Sequence, residues 1–161
     1  MTPEYAVTVR REIDAPAEVL FDAWLDADSL GAWLRPVGTR RTRAETDPRE
    51  GGAFRIVMVD DGEVAGGEGG DGTDIVHIGT YREIDRPRRL VFTWSSPGTH
   101  HRDSLVTVTF RPAATSTVVE VLHERLPDEA AQASHDTGWS SALDVLARTI
   151  DHIPHEPRTR P

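Results

Sequence analysis

The stretch Ser134-His-Asp-Thr-Gly-Trp-Ser-Ser-Ala-Leu-Asp-Val-Leu-Ala-Arg-Thr-Ile150 decides how the rest of the chain is read. Its apolar residues recur at helical spacing. Trp139, Ala142, Leu143, Leu146 and Ile150 fall in one stripe, and His135 joins them. Thr137, Ser141, Asp144 and Arg148 lie opposite. Asp128, in Leu126-Pro-Asp-Glu-Ala130, is placed to cap the start of this helix. One long helix with one apolar stripe needs a single large surface to cover it. Gly138 beside Trp139 suggests a helix backbone that approaches its neighbour closely.

The surface is found upstream, in segments of period two. Val7, Val9 and Ile13 alternate with polar residues over 5–14, which predicts a strand. Residues 15–26 follow as a helix, with Pro16 suited to its first turn and Glu18 to its positive end. A second short helix is expected over 27–34, started by Asp26 or Asp28. Strands are then expected at 39–46, 52–60, 73–85, 88–96, 103–112 and 116–125, separated by turn-rich stretches such as Asp47-Pro-Arg-Glu-Gly-Gly52. Short turns between consecutive strands imply an antiparallel meander. The expected fold is α+β: strand, two helices, six strands and a helix, with a seven-stranded curved sheet wrapped around the last helix.

Parity within the strands names the inner face. Phe54, Ile56 and Met58 point one way; so do Leu90, Phe92 and Trp94; Val106, Val108 and Phe110; and Val119, Val121 and His123. A curved sheet against one helix leaves a gap that aromatics fill or a ligand occupies. The expected cavity residues are Trp33, Phe54, Ile56, Met58, Tyr81, Phe92, Trp94, Val106, Val108, Val121, His123, His135, Trp139 and Leu143. Apolar walls with a few polar groups are the usual pattern of a small-molecule site. His123, His135 and Tyr81 are the candidates for acid–base catalysis. The adjacent His100 and His101 lie in a turn and make a poor chelate, so no metal site is expected and no cofactor is implied.

These pieces together resemble the SRPBCC superfamily, whose members share a START-like helix-grip fold. Within it they are most similar to the domain named for activators of the ninety-kilodalton heat-shock protein ATPase. The similarity is carried by residues 11–38 (Arg-Glu-Ile-Asp-Ala-Pro through Arg-Pro-Val-Gly), 47–56, 79–94 (Gly-Thr-Tyr through Phe-Thr-Trp), 105–110, 116–123 and 135–146. The resemblance implies the helix-grip fold and an inner cavity for a hydrophobic small molecule. Other members are cyclases, hydroxylase subunits and co-chaperones, so a cyclase- or lyase-type enzyme and a chaperone-binding module are the alternatives. Eukaryotic co-chaperones carry a further N-terminal domain, which the chain is not expected to contain. A homodimer is neither indicated nor excluded.

Composition bounds the remaining classes. The net charge is −9 and all 18 basic side chains other than histidine are arginine, a balance that disfavours sequence-independent nucleic-acid binding. The local basic run Arg35–Arg43 reads as a charged edge strand. There is no cysteine, hence no disulfide and no thiolate chemistry. No apolar run nears the roughly 20 residues that span a bilayer, and the N-terminus lacks the pattern of a secretory signal. A cytoplasmic domain over 1–153 is expected, with a disordered tail at 154–161. The run Gly67-Glu-Gly-Gly-Asp-Gly72 matches a dinucleotide fingerprint only formally, because a strand and not a helix follows it. The glycine-rich segment 62–74 is expected to be a hairpin tip, with a gate over the cavity as its functional reading.

Overall fold

A computed structural model describes residues 5–60 and 74–152. The expected tip at 62–74 lies almost wholly outside the described residues, as does the expected tail at 154–161. The element order is β1 (Tyr5–Ile13), α1 (Ala17–Ala23), α2 (Ala27–Trp33), β2 (Thr39–Thr46), β3 (Ala53–Asp60), β4 (Asp74–Asp85), β5 (Arg89–Trp94), β6 (Ser104–Ala113), β7 (Ser116–Leu126) and α3 (Glu129–Thr149). The seven strands form one antiparallel sheet in the order β1-β7-β6-β5-β4-β3-β2. The sheet curves and α3 lies along it, which is the helix-grip arrangement.

Local chemistry sets the element ends. Pro16 is extended (φ −67°, ψ 150°) and forms the cap position of α1 rather than its first helical residue, and Glu18 sits in the first turn. For α2 the cap is Asp26, whose carboxylate accepts from the Ser29 N–H and hydroxyl at 2.9 Å. Asp128 caps α3 by accepting from the Ala131 N–H at 2.8 Å. Two threonines of β2 take up carbonyls at the ends of the short helices. Thr46 Oγ1 donates to Leu25 O (2.9 Å) and Thr42 Oγ1 to Leu34 O (2.7 Å). These bonds help hold the two short helices against β2.

The inner face matches the alternation read from the sequence. Across β4, β5, β6 and β7 one row runs Tyr81, Phe92, Val106, His123, and all four are buried. The β4–β5 pairing shifts register between Tyr81 and Glu83, a bulge that bends the sheet. Gly79 stands just before it. A Cβ there would fall 2.0 Å from Thr93 O and 2.3 Å from the Phe54 ring, so the bare backbone is what lets Phe54 lie across β4. Gly52 is similarly confined, 2.1 Å from Asp47 O. The Gly51–Gly52 pair exchanges bonds with Tyr81, whose N–H donates to Gly52 O (2.9 Å) while Gly51 N–H donates to Tyr81 O (2.8 Å).

Polar bonds at its outer side fix how α3 docks. Arg11 Nε donates to Asp144 at 2.9 Å, Gln132 Nε2 to Ala6 O at 2.8 Å, and the Val37 N–H to Ser141 Oγ at 2.9 Å. The exposed Arg11–Asp144 pair sets orientation more than stability. The close approach expected at Gly138 is absent. A Cβ there would meet only Pro36 Cβ, at 3.9 Å, an ordinary contact. Trp139 reaches the sheet by its own length, and Gly138 has no steric need to be glycine.

The two glycines therefore predict opposite outcomes. Gly138→Ala should raise the unfolding free energy by about 1 kcal/mol, through restored helix propensity. Gly79→Ala should lower it by about 1–3 kcal/mol, because backbone blocks the new methyl. Urea denaturation followed by circular dichroism measures both.

Candidate functional site

The concave face is an aromatic cluster that includes all four tryptophans. Trp24 closes α1 and stacks on Trp139 of α3 with ring centroids 5.7 Å apart; Trp139 meets Trp94 of β5 at 5.4 Å; Trp33 of α2 stands edge-on to Trp24 at 4.8 Å. Phe92 meets Phe54 edge-on at 5.5 Å, and Phe54 meets Tyr81 at 5.3 Å. Such pairs contribute about 0.5–1.5 kcal/mol each beyond burial.

Where α1, α2, β3, β4, β5 and α3 converge there is a cavity of about 10 Å³. Its walls are Trp24, Leu30, Leu34, Phe54, Ile56, Tyr81, Phe92, Trp94 and Trp139. That space is about the size needed for one water, so the seam is closed as it stands. Of the residues named from sequence, Phe54, Ile56, Tyr81, Phe92, Trp94 and Trp139 line it. Trp33, Met58, Val106, Val108, Val121 and Leu143 are core residues around it and do not form its wall. Sequence reasoning missed Trp24, Leu30 and Leu34. Trp24 has the helical spacing of α1, and Leu30 and Leu34 are separated by one turn. Those signals mark an inward face without saying which part of the interior it meets.

The four indoles divide into two kinds. Trp33 Nε1–H donates to Ala23 O at 2.9 Å, and Trp139 Nε1–H to His123 Nδ1 at 3.0 Å. Trp24 is 4% exposed and Trp94 3%, yet their Nε1–H groups have no hydrogen-bond partner among the described residues. Leaving a buried donor unpaired costs about 1–3 kcal/mol. Both residues are on the cavity wall.

His123 is held at both nitrogens. Nδ1 accepts from Trp139, so Nε2 carries the proton and donates to Ser104 Oγ at 2.7 Å. Ser104 Oγ–H passes the bond on to Trp94 O, also at 2.7 Å. One chain of bonds thus runs from α3 through β7 and β6 to β5. Burial pushes the His123 pKa down to about 2, with neighbouring His135 adding to the effect. His135 Nδ1–H donates to Ala131 O at 2.8 Å, its ring stands edge-on to His123 at 4.7 Å, and burial lowers its pKa as well. Gly98, in the 3-10 turn Pro97–Thr99, lies against this ring.

The structure brings His123 and His135 together, and keeps Tyr81 apart from them. Tyr81 on β4 and His123 on β7 share a row but are three strands apart, about 14 Å at the usual spacing. Burial, helped by the charge of Asp47, pushes the Tyr81 phenol up, so it stays protonated at neutral pH. A third buried histidine, His77, went unnamed in the sequence reading. It pairs across from Ile56 and so shares the inner face, with its ring 4.8 Å from Trp94. Desolvation lowers its pKa to about 4. Alternation along Ile75-Val-His-Ile-Gly79 was the available signal, once Gly79 and Tyr81 were placed inward. His100 and His101 both adopt left-handed backbone (φ 56° and 60°), and exposed His100 Nε2 lies 2.8 Å from Asp128 Oδ2 at the start of α3. Among the described residues no cluster of three potential ligands could hold a metal, and no helix is long and apolar enough to cross a membrane.

A fold of this kind has relatives. The sequence model of the Activator of Hsp90 ATPase homolog 1-like protein family matches residues 14–151. The chain belongs to that family. No curated protein matches it. Among solved structures, protein CV1439 of Chromobacterium violaceum superposes with a TM-score of 0.76 at 23% identity, covering 91% of this chain and 98% of that one. An HSP90 activator from Plasmodium falciparum gives 0.70 at 22% identity, covering 91% and 96%. CalU16 from Micromonospora echinospora gives 0.66 at 24%, covering 91% and 76%. At these identities the likeness establishes the shared fold.

The buried histidines make the family fold acid-labile in this chain. Their folded pKa values lie below the unfolded value of 6.5, so between those limits the unfolded chain binds more protons. Stability is therefore complete above pH 6.5 and falls as pH drops toward 4. For His77 alone the loss approaches about 3 kcal/mol. Urea midpoints at pH 7, 6, 5 and 4 test this. His77→Gln should flatten the curve by about that amount.

Proposed function

We propose that this chain binds a flat, apolar small molecule in the seam between α3 and the concave face of the sheet. The observation that carries the reading is the convergence of nine side chains from six elements on one cavity, none of them charged. The cavity is closed to about 10 Å³, so binding entails outward movement of its wall. Trp24, Leu30 and Leu34 form the part of that wall not built on the sheet or on α3. They sit at the ends and middle of the two short helices, which β2 holds partly by threonine–carbonyl bonds.

The reading is one of binding rather than turnover. His123 has both nitrogens engaged inside the protein, and Tyr81 lies on the cavity wall without a histidine beside it. The residues we assign to the site are Phe54, Ile56, Tyr81, Phe92, Trp94 and Trp139, with Trp24, Leu30 and Leu34 added. His123 and His135 serve as positioning groups behind Trp139. A chaperone partner has less support. Among the described residues the exposed large apolar side chains are Val37, between α2 and β2, and Ile78 on β4. They form no continuous docking patch.

Native mass spectrometry of freshly purified protein should show adducts of a few hundred daltons that are lost on collisional activation. Naphthalene-class probes should quench the tryptophan emission saturably. Ile56→Phe, which narrows the cavity from the sheet side, should weaken that quenching at least tenfold while the circular dichroism spectrum is retained. A bare mass together with unchanged emission would overturn the reading.

A further inference from the structure

The two unpaired indole donors say what kind of molecule the seam takes. We propose that its ligand is a neutral, planar compound carrying carbonyl-type oxygen acceptors, which receive hydrogen bonds from Trp24 Nε1–H and Trp94 Nε1–H. This rests on the binding reading above and narrows it to a chemical class.

The polar inventory of the wall supports an acceptor. An indole nitrogen can donate and cannot accept. Among the side chains that line the wall, polar atoms occur only on Trp24, Trp94 and Trp139, as indole nitrogens, and on Tyr81, as a hydroxyl. Trp139 is already engaged by His123, and Tyr81 is kept protonated by burial. No carboxylate, amide or histidine lines the cavity. A ligand rich in donors would find one acceptor among these side chains, the Tyr81 hydroxyl, and would leave both indoles unpaired. A cation would meet the same donors with no anionic partner. An anion would be buried without arginine or histidine on the wall, at high desolvation cost. A neutral acceptor is the complement that remains.

The fold itself shows that the two vacancies are not a general feature of its indoles. Trp33 and Trp139 belong to the same aromatic cluster, and each is supplied with an internal acceptor. The two left without one are both on the cavity wall, and both are nine-tenths buried or more. Native proteins leave few buried donors unpaired, and such groups call for an explanation such as an absent ligand or water. Planarity follows from the stack of Trp24 on Trp139, inclined by 28° at 5.7 Å: a molecule that displaces one ring from the other replaces a flat contact and is itself flat.

The test compares 1,4-naphthoquinone with 1,4-dimethylnaphthalene, which has a similar outline and no acceptor. The chain has no cysteine and no lysine, so the quinone meets no thiol or lysine amine. Calorimetry should find the quinone bound at least tenfold more tightly. In ¹⁵N-labelled protein the Trp24 and Trp94 indole N–H signals should move downfield with the quinone and not with the hydrocarbon, while the Trp33 N–H stays in place. Trp24→Phe and Trp94→Phe should each weaken quinone binding more than hydrocarbon binding, narrowing the ratio of the two affinities about fivefold. If either variant fails to fold, the wild-type comparison decides alone. Equal affinities with unmoved indole signals would overturn the acceptor assignment and leave the apolar binding site standing. Failure of both probes to bind would remove the binding reading as well. Indole signals that report contact with water, undisturbed by the quinone, would show that solvent satisfies these donors and overturn the proposal.

Discussion

The interaction on which this architecture depends is the relay Trp139–His123–Ser104–Trp94 O. It is the only chain of side-chain bonds among the described residues that passes from the terminal helix through successive strands of the sheet. An apolar stripe alone would let α3 slide along or rotate on a greasy surface. A donor that must meet one buried nitrogen fixes both the rotation of the helix and its position along the sheet. The relay also decides a protonation state. Because Trp139 supplies a proton to Nδ1, the imidazole has to be neutral with its own proton on Nε2, and burial makes the charged form costly. A residue type often read as a catalytic acid or base acts here as a two-ended connector.

Most of the fold was legible because period two and period 3.6 are strong signals when every element has one buried face. The seven strands, the two short helices and α3 follow from alternation and spacing, with boundaries shifted by up to three residues. The capping side chain Asp128 was legible for the same local reason, and Asp26 as one of two candidates with Asp28. The cavity was half legible. Parity assigns Phe54, Phe92, Trp94 and Trp139 to the inner face, but it cannot separate a cavity wall from solid core. Met58, Val108 and Leu143 have the same parity and pack as core. That distinction depends on where the short helices lie across the sheet, and the helices are held there by Thr42 and Thr46 bonding to distant carbonyls. No local pattern encodes those bonds.

The glycines make the same point. Gly138 drew notice because it adjoins a tryptophan, yet its surroundings are open. Gly79 sat unremarked within an expected strand, and it is the position where Phe54 and the Thr93 carbonyl leave no room for a methyl group. Sequence neighbours inform on local conformation, whereas the need for a missing Cβ comes from a strand and a ring that are remote in sequence. His77 was overlooked for a related reason: its face becomes definite only when the register of β4 is set on both sides of the bulge after Tyr81.

A tightly closed aromatic seam and a binding function are physically compatible. Aromatic side chains have few rotamers and large contact areas, so a wall made of them changes by moving whole rings or the segment that carries them. The sheet-borne rings are fixed by strand pairing on both sides. Trp139 is fixed by its bond to His123. Trp24, at the end of a seven-residue helix, has stacking partners but no bond from its nitrogen. Of the two tryptophans with an unpaired donor it is the one carried by a short helix rather than by a strand paired on both sides. Displacing its ring exchanges one set of aromatic contacts for another of similar strength, provided the incoming molecule is flat. On the proposed reading, an open, occupied state would then differ from the closed one by a small free energy, and an acceptor on the ligand would tip the balance by pairing the donor that is unpaired in the closed state.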